Sequence, residues 1–151
     1  MTPPASDDET LLALLRLLSE SKVCYLSSVR PDGRPHCVPI WHVLGGGRVY
    51  HAVAGRSVKA ANVRFNPHVV VAARLEIPEA GLIVEGRARL VPELRAAVTQ
   101  YFIQKYEWDI TQSEEYDSLI EVTPERVIAW GAYGEGHWTG EQVLQAAGGE
   151  R

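Results

Sequence analysis

The chain has 151 residues, of which 46% are hydrophobic and 23% are charged, as in an ordinary globular domain. This composition excludes extensive disorder, and the longest apolar runs are too short to cross a membrane. The formal net charge of −4 argues against general nucleic-acid binding, and the acidic, Pro-rich start of the chain does not resemble a secretion signal, so we expect a cytoplasmic protein.

We predict one domain over residues 1–151. It comprises an N-terminal helix within 1–21, a barrel with inserted helices over 22–131 and a C-terminal tail over 132–151. Ser6 and Glu9 form a capping box at the start of the first helix, which is expected to end near Glu20. The helix has an apolar face made of Leu11, Leu12, Leu14, Leu15 and Leu18.

Three β-rich runs follow, at 22–29, 36–43 and 48–54. Asp32-Gly33 between the first two runs indicates a hairpin, and the three glycines at 45–47 indicate the next turn. These signals predict a meander of three antiparallel strands. Pro39 predicts an edge or a bulge in the second strand, because proline cannot donate a ladder hydrogen bond.

The second half of the chain alternates helices and strands. We predict a short helix from Ser57 to Asn66-Pro67, a helix that starts at Pro92, and a frayed helix in the tail. Strands are predicted at 68–75, at 82–91 and at 118–131, the last with a kink at Pro124. Several short strands with turn signals between them predict a mainly β barrel with flanking helices, an α+β fold with six strands.

The strongest functional signal is the segment in which a strand ends at Gly55 and a helix begins. Arg56, Ser57 and Lys59 lie in the first turn of that helix, where backbone N–H groups and the helix dipole favour an anion. Added cations and a hydroxyl would suit a phosphate. The alternative interpretation is a solvated basic helix start with no ligand.

Three segments carry a resemblance to a known family. In chain order they are CYLSSVRPDGRPHCVPIWHV, RVYHAVAGRSVKAANVRFNPHVVVAARL and GLIVEGRARLV. The chain resembles the pyridoxamine 5'-phosphate oxidase-like split-barrel superfamily of flavin and deazaflavin oxidoreductases. The likeness covers residues 23–91, and beyond Pro92 it extends only to the general layout.

The resemblance implies a six-stranded antiparallel split barrel of the FMN-binding type. It also implies a homodimer with a cofactor site at each end of the interface, and a hydride transfer to or from a small organic substrate. Arg56, Ser57 and Lys59 would hold the cofactor phosphate, and Asn62 would support their helix. The residues expected along the ring or its side chain are Val38, Pro39, Ile40, Trp41, His51, Ala52, Val53 and Ala54. Trp130 or Tyr133 of the second subunit would complete the pocket.

The cofactor implied is F420 or FMN. The segment RSVKAAN…NP resembles the actinobacterial deazaflavin group more than true pyridoxamine phosphate oxidases, which favours F420 without excluding FMN. A polyglutamate tail could lie along Arg34, Arg48, Arg64 and Arg74, which are otherwise ordinary surface arginines. The alternatives are a non-catalytic protein that binds flavin, haem or a tetrapyrrole, and a family member that acts through protein contacts alone.

The catalytic residues stay open, since such cofactors carry the difficult chemistry themselves. Proton donors could be His42, His51, Tyr133 or water, and the aromatic, polar segment 106–116 is the expected local contributor to a substrate pocket. His42 and His51 lack a third ligand nearby in the sequence, so we predict no metal site. Trp41 suits either a pocket or the core.

Two cysteines are present, and they lie on the strands of the first predicted hairpin. If Asp32-Gly33 is the centre of the turn, Cys37 lies opposite Ser28 and not opposite Cys24. We therefore predict two free thiols.

Overall fold

The structure is a computed structural model that describes residues 7–148. Within that range, eight strands form one antiparallel sheet: β1 (Cys24–Val29), β2 (Pro35–Ile40), β3 (Val43–Gly45), β4 (Arg48–Val53), β5 (His68–Ala73), β6 (Ala80–Leu90), β7 (Ser118–Gly131) and β8 (Gly136–Thr139). Its helices are α1 (Asp7–Glu20), α2 (Val58–Phe65), α3 (Arg95–Tyr106) and α4 (Gly140–Ala146). Short 3₁₀ turns lie at Pro92–Leu94 and Ile110–Gln112.

The sheet has the strand order β2-β1-β5-β6-β7-β4-β3, with β8 paired to β7, and it curls into a half-barrel. Its inner face buries alternate residues, such as Leu26, Val71 and Val84, against α1 and α4. A second, smaller core lies between α3 and the β3–β4 hairpin, around Phe102 and Tyr50. Together these cores confirm the predicted mainly β fold with flanking helices.

Several predicted elements are confirmed at their ends. Helix α1 occupies the predicted span, although Ser6 of the capping box lies outside the described residues. Helix α2 begins after Ser57, whose hydroxyl accepts from the N–H of Ala60, and ends at Asn66. None of the helices in residues 7–148 has the length and apolar character needed to span a bilayer.

The first hairpin forms where predicted, but its register differs by one residue. Cys37 pairs with Ser27, not with Ser28. The reason is a three-residue turn: the N–H of Arg30 donates to the carbonyl of Arg34, and Gly33, with φ of +90°, completes the loop. Both cysteines are free, as predicted, with Cys24 buried and Cys37 exposed. Burial raises the pKa of the Cys24 thiol to about 12.

The predicted three-strand meander is wrong. The run 36–43 does not form one strand, because the sheet pairing of β2 ends at Ile40 and β3 starts only at Val43. Strand β3 pairs with β4, and β4 then pairs with β7 at the far side of the sheet. The chain therefore leaves one edge of the sheet at Trp41 and His42 and enters the other. This break adds one strand to the six expected.

The long strands β6 and β7 follow the predicted patterns. Leu82, Val84 and Ala88 of β6 are buried, as the alternation predicts. The β6–β7 register shifts between Glu85 and Gly86, so that one extra residue of β7 bulges beside Pro124. The kink predicted at this proline is confirmed.

The helix predicted in the C-terminal tail is present as α4, but up to residue 148 this segment is packed in the core and not frayed. Residues after Gly131 form β8 and α4, and Trp138 and Val143 are buried in the main core. A capping box fixes the start of α4: Thr139 accepts from the N–H of Gln142, whose side chain accepts from the N–H of Thr139. The sequence TGEQ carries this signal, and β8 is the second strand beyond the expected six.

Candidate functional site

A cleft of about 680 Å³ lies between the end of β2, strand β4, helix α2 and the segment after α3. Its volume falls within the range of small-molecule and cofactor sites. The residues that line it are Pro39, Ile40, Trp41, Ala52, Lys59, Tyr106, Trp108, Ser113, Glu115 and Tyr116.

Aromatic rings form one wall of this cleft. Trp41 stacks on Tyr106 with ring centroids 4.2 Å apart and planes 2° apart. Trp108 meets the ring of Trp41 edge-on at 5.8 Å and that of Tyr116 at 5.3 Å. Trp41 nevertheless leaves 46% of its surface exposed, which places it at the mouth of the cleft rather than in the core. Aromatic faces open to solvent are suited to a planar ligand.

The position of Tyr106 is fixed by its hydroxyl group. That oxygen lies 2.8 Å from the carbonyl of Lys22, 3.0 Å from the carbonyl of His42, and accepts from the N–H of His42 at 3.0 Å. Burial raises the pKa of Tyr106 to about 12, so the hydroxyl keeps its proton at neutral pH. The stacked ring of Trp41 is therefore held against a rigid support.

The segment between α3 and β7 is held by side chains that reach across it. Glu107 ends α3 in a left-handed conformation with φ of +54°, and its N–H donates to the carbonyl of Ile103. The chain turns there toward Trp108. Arg95 donates to the carbonyls of Ile110 at 2.6 Å and Ser113 at 3.0 Å. Asp109 accepts from the hydroxyl of Thr99 at 2.9 Å. These contacts preorganise the loop that carries the acidic and aromatic lining residues.

Helix α2 brings a cation to the cleft. Lys59 is half-buried on the lining, and burial lowers its pKa, while Arg56 is exposed at the helix start. Asn62 is buried and its side-chain amide donates to the hydroxyl of Ser28 at 3.0 Å, which ties α2 to β1. The carboxylate of Asp117 accepts from the N–H of Gly55 at 2.7 Å, so this amide at the turn already has an acceptor.

The structure brings only part of the predicted cofactor set to the cleft. Pro39, Ile40, Trp41, Ala52 and Lys59 line it. Val38 is half-buried and does not line the cleft, and His51 and Val53 are fully buried. Ala54, Arg56, Ser57 and Asn62 flank the lining without forming it. The binding roles assigned to these residues stay predictions.

The segment 106–116 contributes to the cleft as expected, but the individual residues were not in the predicted set. Their pairing with Trp41 depends on how α3 packs, which no local pattern reveals. The arginines proposed for a polyglutamate tail do not line the cleft: Arg48 lies on β4 and Arg64 on α2, whereas Arg34 and Arg74 lie in loops. Arg34 forms an ion pair with Asp32 at 2.7 Å.

The predicted proton donors lie away from the cleft. His42 and His51 are fully buried, and Tyr133 packs against the main core. His42 Nε2 lies 2.7 Å from the carbonyl of Leu18, and His51 Nδ1 lies 2.9 Å from the carbonyl of Trp41. Burial lowers the pKa of His42 to about 4 and that of His51 to about 3, so both rings are neutral at pH 7. Within residues 7–148, no three His, Cys, Asp or Glu side chains are grouped as a metal site.

These two histidines predict a pH dependence of stability. An unfolded histidine binds its proton near pH 6.5, whereas the buried rings stay neutral well below that value. The unfolded state therefore binds more protons below pH 6.5, and the free energy of unfolding falls as the pH is lowered from about 6.5 to 5, by about 1.4 kcal/mol per pH unit for each ring.

The variant His51→Gln keeps a donor for the carbonyl of Trp41, so we expect it to fold and to show a correspondingly flatter slope. Urea denaturation at several pH values measures this, and His68→Gln, at an exposed position, is the control. Equal slopes for His51→Gln and the parent protein would contradict the neutral, buried state of this ring.

The sequence and the structure were compared with those of known proteins, and the comparison identifies a family. The family model for pyridoxamine 5'-phosphate oxidase matches residues 11–131, well over half of the chain. No curated protein matches the sequence. Three solved structures illustrate the likeness. The heme binding protein from Mycobacterium smegmatis is 19% identical, with a TM-score of 0.75, and the match covers 96% of this chain and 62% of that one.

The General Stress Protein 26 from Bacillus anthracis is 19% identical over 85% of this chain and 97% of that one, with a TM-score of 0.66. An F420 reductase is 24% identical over 74% of this chain and 93% of that one, with a TM-score of 0.62. At these identities the three structures show the fold alone. Since the family model spans strands β1 to β7 together with α2 and α3, the chain belongs to the pyridoxamine 5'-phosphate oxidase family of split barrels.

Proposed function

We propose that this protein binds a flavin-type cofactor, F420 or FMN, in the cleft beside α2 and acts as an oxidoreductase on a small organic substrate. The observation that carries the proposal is the composition of the cleft. Stacked aromatic rings line the same cavity as Lys59. The ammonium group of Lys59 forms no ion pair with a residue in 7–148. A ligand with a planar ring system and an anionic group matches both features.

The residues present fit such a cofactor. Pro39, Ile40 and Ala52 offer a small-side-chain apolar wall against which a ring can lie, and Trp41 borders it. Lys59 and the exposed Arg56 supply positive charge at the first turn of α2, and the hydroxyl of Ser57, which accepts from the N–H of Ala60, can still donate its own hydrogen to a ligand. When bound, the cofactor would supply hydride-transfer chemistry.

The protein's own part would be to bind, to orient and to exclude water. Trp41, fixed by its stack on Tyr106, defines one limit of the cavity, and the loop held by Arg95 closes another. The buried histidines do not reach the lining. The protons exchanged with the substrate would therefore come from solvent water or from the hydroxyl groups of Ser113 and Tyr116.

F420 is the preferred cofactor, on the resemblance of the α2 sequence to the deazaflavin group. The similarity of the fold to an F420 reductase agrees with this choice, and FMN would place its phosphate at the same proposed site. A non-catalytic haem protein is the second candidate, because a heme binding protein shares the fold. His42 and His51 are fully buried, so neither is exposed in the cleft to act as a ligand of haem iron. A Soret band in protein purified or titrated with haem would favour this alternative.

A homodimer is part of the proposal, and the outer face of the sheet is the surface that would form it. Cross-strand pairing aligns Tyr25, Ala72, Ile83 and Ile128 in one row on that face. These side chains are only half-buried or exposed in a single chain. Trp130 lies over Gly81 on the same face, with half of its surface exposed. An apolar sheet face of this kind favours association with a second copy.

The row also meets the cleft, because Tyr25 pairs with Pro39, which lines it. We expect a solution mass of twice 16.7 kDa by light scattering. Ile83→Asp is expected to give the monomer, since a charge at the centre of an apolar interface is strongly unfavourable. Ile103→Asp, on an exposed position of α3, should leave the dimer intact. A monomeric parent protein, or equal effects of both variants, would contradict this interface.

The oxidoreductase activity is tested by following the absorbance of the reduced cofactor. Protein loaded with reduced F420 or reduced FMN is mixed anaerobically with a panel of organic acceptors, and acceptor-dependent loss of the reduced form is expected. Free cofactor and protein loaded after the change Trp41→Ala serve as comparisons. Reoxidation at the rate of the free cofactor for every acceptor would contradict an enzymatic role.

A further inference from the structure

The cleft contains a carboxylate as well as a cation. Glu115 lines it together with Tyr106, Trp108 and Tyr116. Glu115 forms no ion pair with a lysine or arginine side chain of residues 7–148. The side chain of Glu115 is exposed at the cleft, so a ligand that lies against the aromatic rings can also pair with its carboxylate.

The surrounding segment is rich in acidic residues, and Arg95, which donates to its backbone at Ile110 and Ser113, balances part of their charge. The acidic residues between positions 107 and 117 are Glu107, Asp109, Glu114, Glu115 and Asp117, and the segment has no lysine or arginine. Asp109 accepts from Thr99 and Thr111, and Asp117 accepts from the N–H of Gly55. Of the acidic residues on this segment, Glu115 is the one whose side chain lines the cleft.

The backbone on either side of Glu115 is anchored. The N–H of Tyr116 donates to the hydroxyl of Ser113 at 3.0 Å, and Arg95 holds the carbonyl of Ser113. The carboxylate of Asp117 accepts from the N–H of Gly55, just before α2. The carboxylate of Glu115 is thus presented from a short, doubly anchored loop rather than from a free chain, which reduces the entropy lost on binding.

We infer that the Glu115 side of the cleft selects a substrate with a planar, positively charged ring. Aromatic faces attract a cation through their quadrupoles, and the carboxylate adds a direct counter-charge. Lys59 lies on α2, where the cofactor phosphate is proposed to lie, and Glu115 lies on the segment after α3, so we assign the two charges of the cleft to separate groups of the bound molecules. The identification of this ligand as the substrate rests on the proposed function, whereas the cation preference rests on the lining residues alone.

The test compares three ligands that share one ring and differ in charge. They are the 1-methylnicotinamide cation, neutral nicotinamide and the nicotinate anion. Each is titrated into the full-length protein, as purified and again in the presence of saturating FMN, and binding is followed by ligand-observed NMR. We expect the cation to bind about tenfold more tightly than nicotinamide and nicotinate to bind most weakly.

Glu115→Gln keeps the shape of the side chain and removes its charge, and it is expected to abolish most of the preference for the cation. Glu114→Gln removes the same charge from the neighbouring residue, which does not line the cleft, and should retain the preference. Equal affinities for the three rings, no binding of any of them at about 10 mM, or equal effects of the two variants would overturn the inference. Cation selectivity without uptake of FMN or F420 would support the inference and count against the proposed function.

Discussion

Replacing Arg56 and Lys59 together by alanine is expected to weaken the uptake of F420 or FMN by about 100-fold. Charge-assisted hydrogen bonds to a phosphate contribute about 1.5–3 kcal/mol each, and the lower end applies because Arg56 is exposed. Lys59 is half-buried on the lining of the cleft, so Lys59→Ala alone should have the larger effect of the two single variants. Equilibrium dialysis with absorbance detection of the cofactor measures the affinity.

The matched control removes the same charge elsewhere. Arg16 and Lys22 are exposed on and after α1, and their double alanine variant should bind the cofactor as the parent protein does. Circular dichroism checks that both double variants are folded. An affinity that is unchanged in Arg56→Ala/Lys59→Ala, or lowered equally in the control, would falsify the phosphate site at the start of α2.

Truncating Trp138 is expected to cost about 3–5 kcal/mol of the free energy of unfolding, the usual range for a buried Trp→Ala change. Only 2% of this side chain is exposed, and it packs in the main core with residues of α1, β7 and α4. Urea denaturation followed by far-ultraviolet circular dichroism measures the loss without depending on tryptophan fluorescence.

His137→Ala changes the exposed neighbour on the same strand, and we expect it to alter the free energy of unfolding by less than about 0.5 kcal/mol. If Trp138→Ala were as stable as His137→Ala, the segment 136–146 would not be part of the folded core. The result therefore shows whether the C-terminal segment is packed in the core or is the frayed helix that the sequence predicted.

Local signals were reliable where one short pattern decides the structure. Ser57 and Asn66-Pro67 marked both ends of α2, and the alternation around Val84 identified the inner face of β6. The kink at Pro124 followed from the missing N–H of proline. Such features depend on covalent geometry and near neighbours, which the sequence specifies directly.

The pairing of strands could be predicted from the sequence less well. The run around Trp41 reads as one strand, and the structure divides it because His42 turns inward to the carbonyl of Leu18 while Trp41 stacks on Tyr106. The hairpin register failed by one residue because Gly33 completes a three-residue loop instead of a two-residue one. Both outcomes are decided by alternatives close in free energy, and tertiary contacts select between them.

The candidate site shows the same division. Lys59 could be placed from its position in the first turn of a helix after a strand, and Pro39 and Trp41 from the resemblance to a known family. Glu115 and Trp108 could be located only to a segment, because their approach to Trp41 depends on how α3 ends at Glu107 and on the contacts of Arg95. His51 is fully buried and does not line the cleft, and its expected position beside the ring stays a prediction.

A cofactor titration of the purified protein tests directly whether the cleft binds F420 or FMN. FMN and F420 are added separately, unbound cofactor is removed by dialysis, and the visible spectrum gives the amount retained per chain. We expect saturation at one cofactor per chain, with F420 retained more tightly than FMN and with uptake lost in Arg56→Ala/Lys59→Ala. Retention of neither cofactor, or retention that the double variant leaves unchanged, would contradict it.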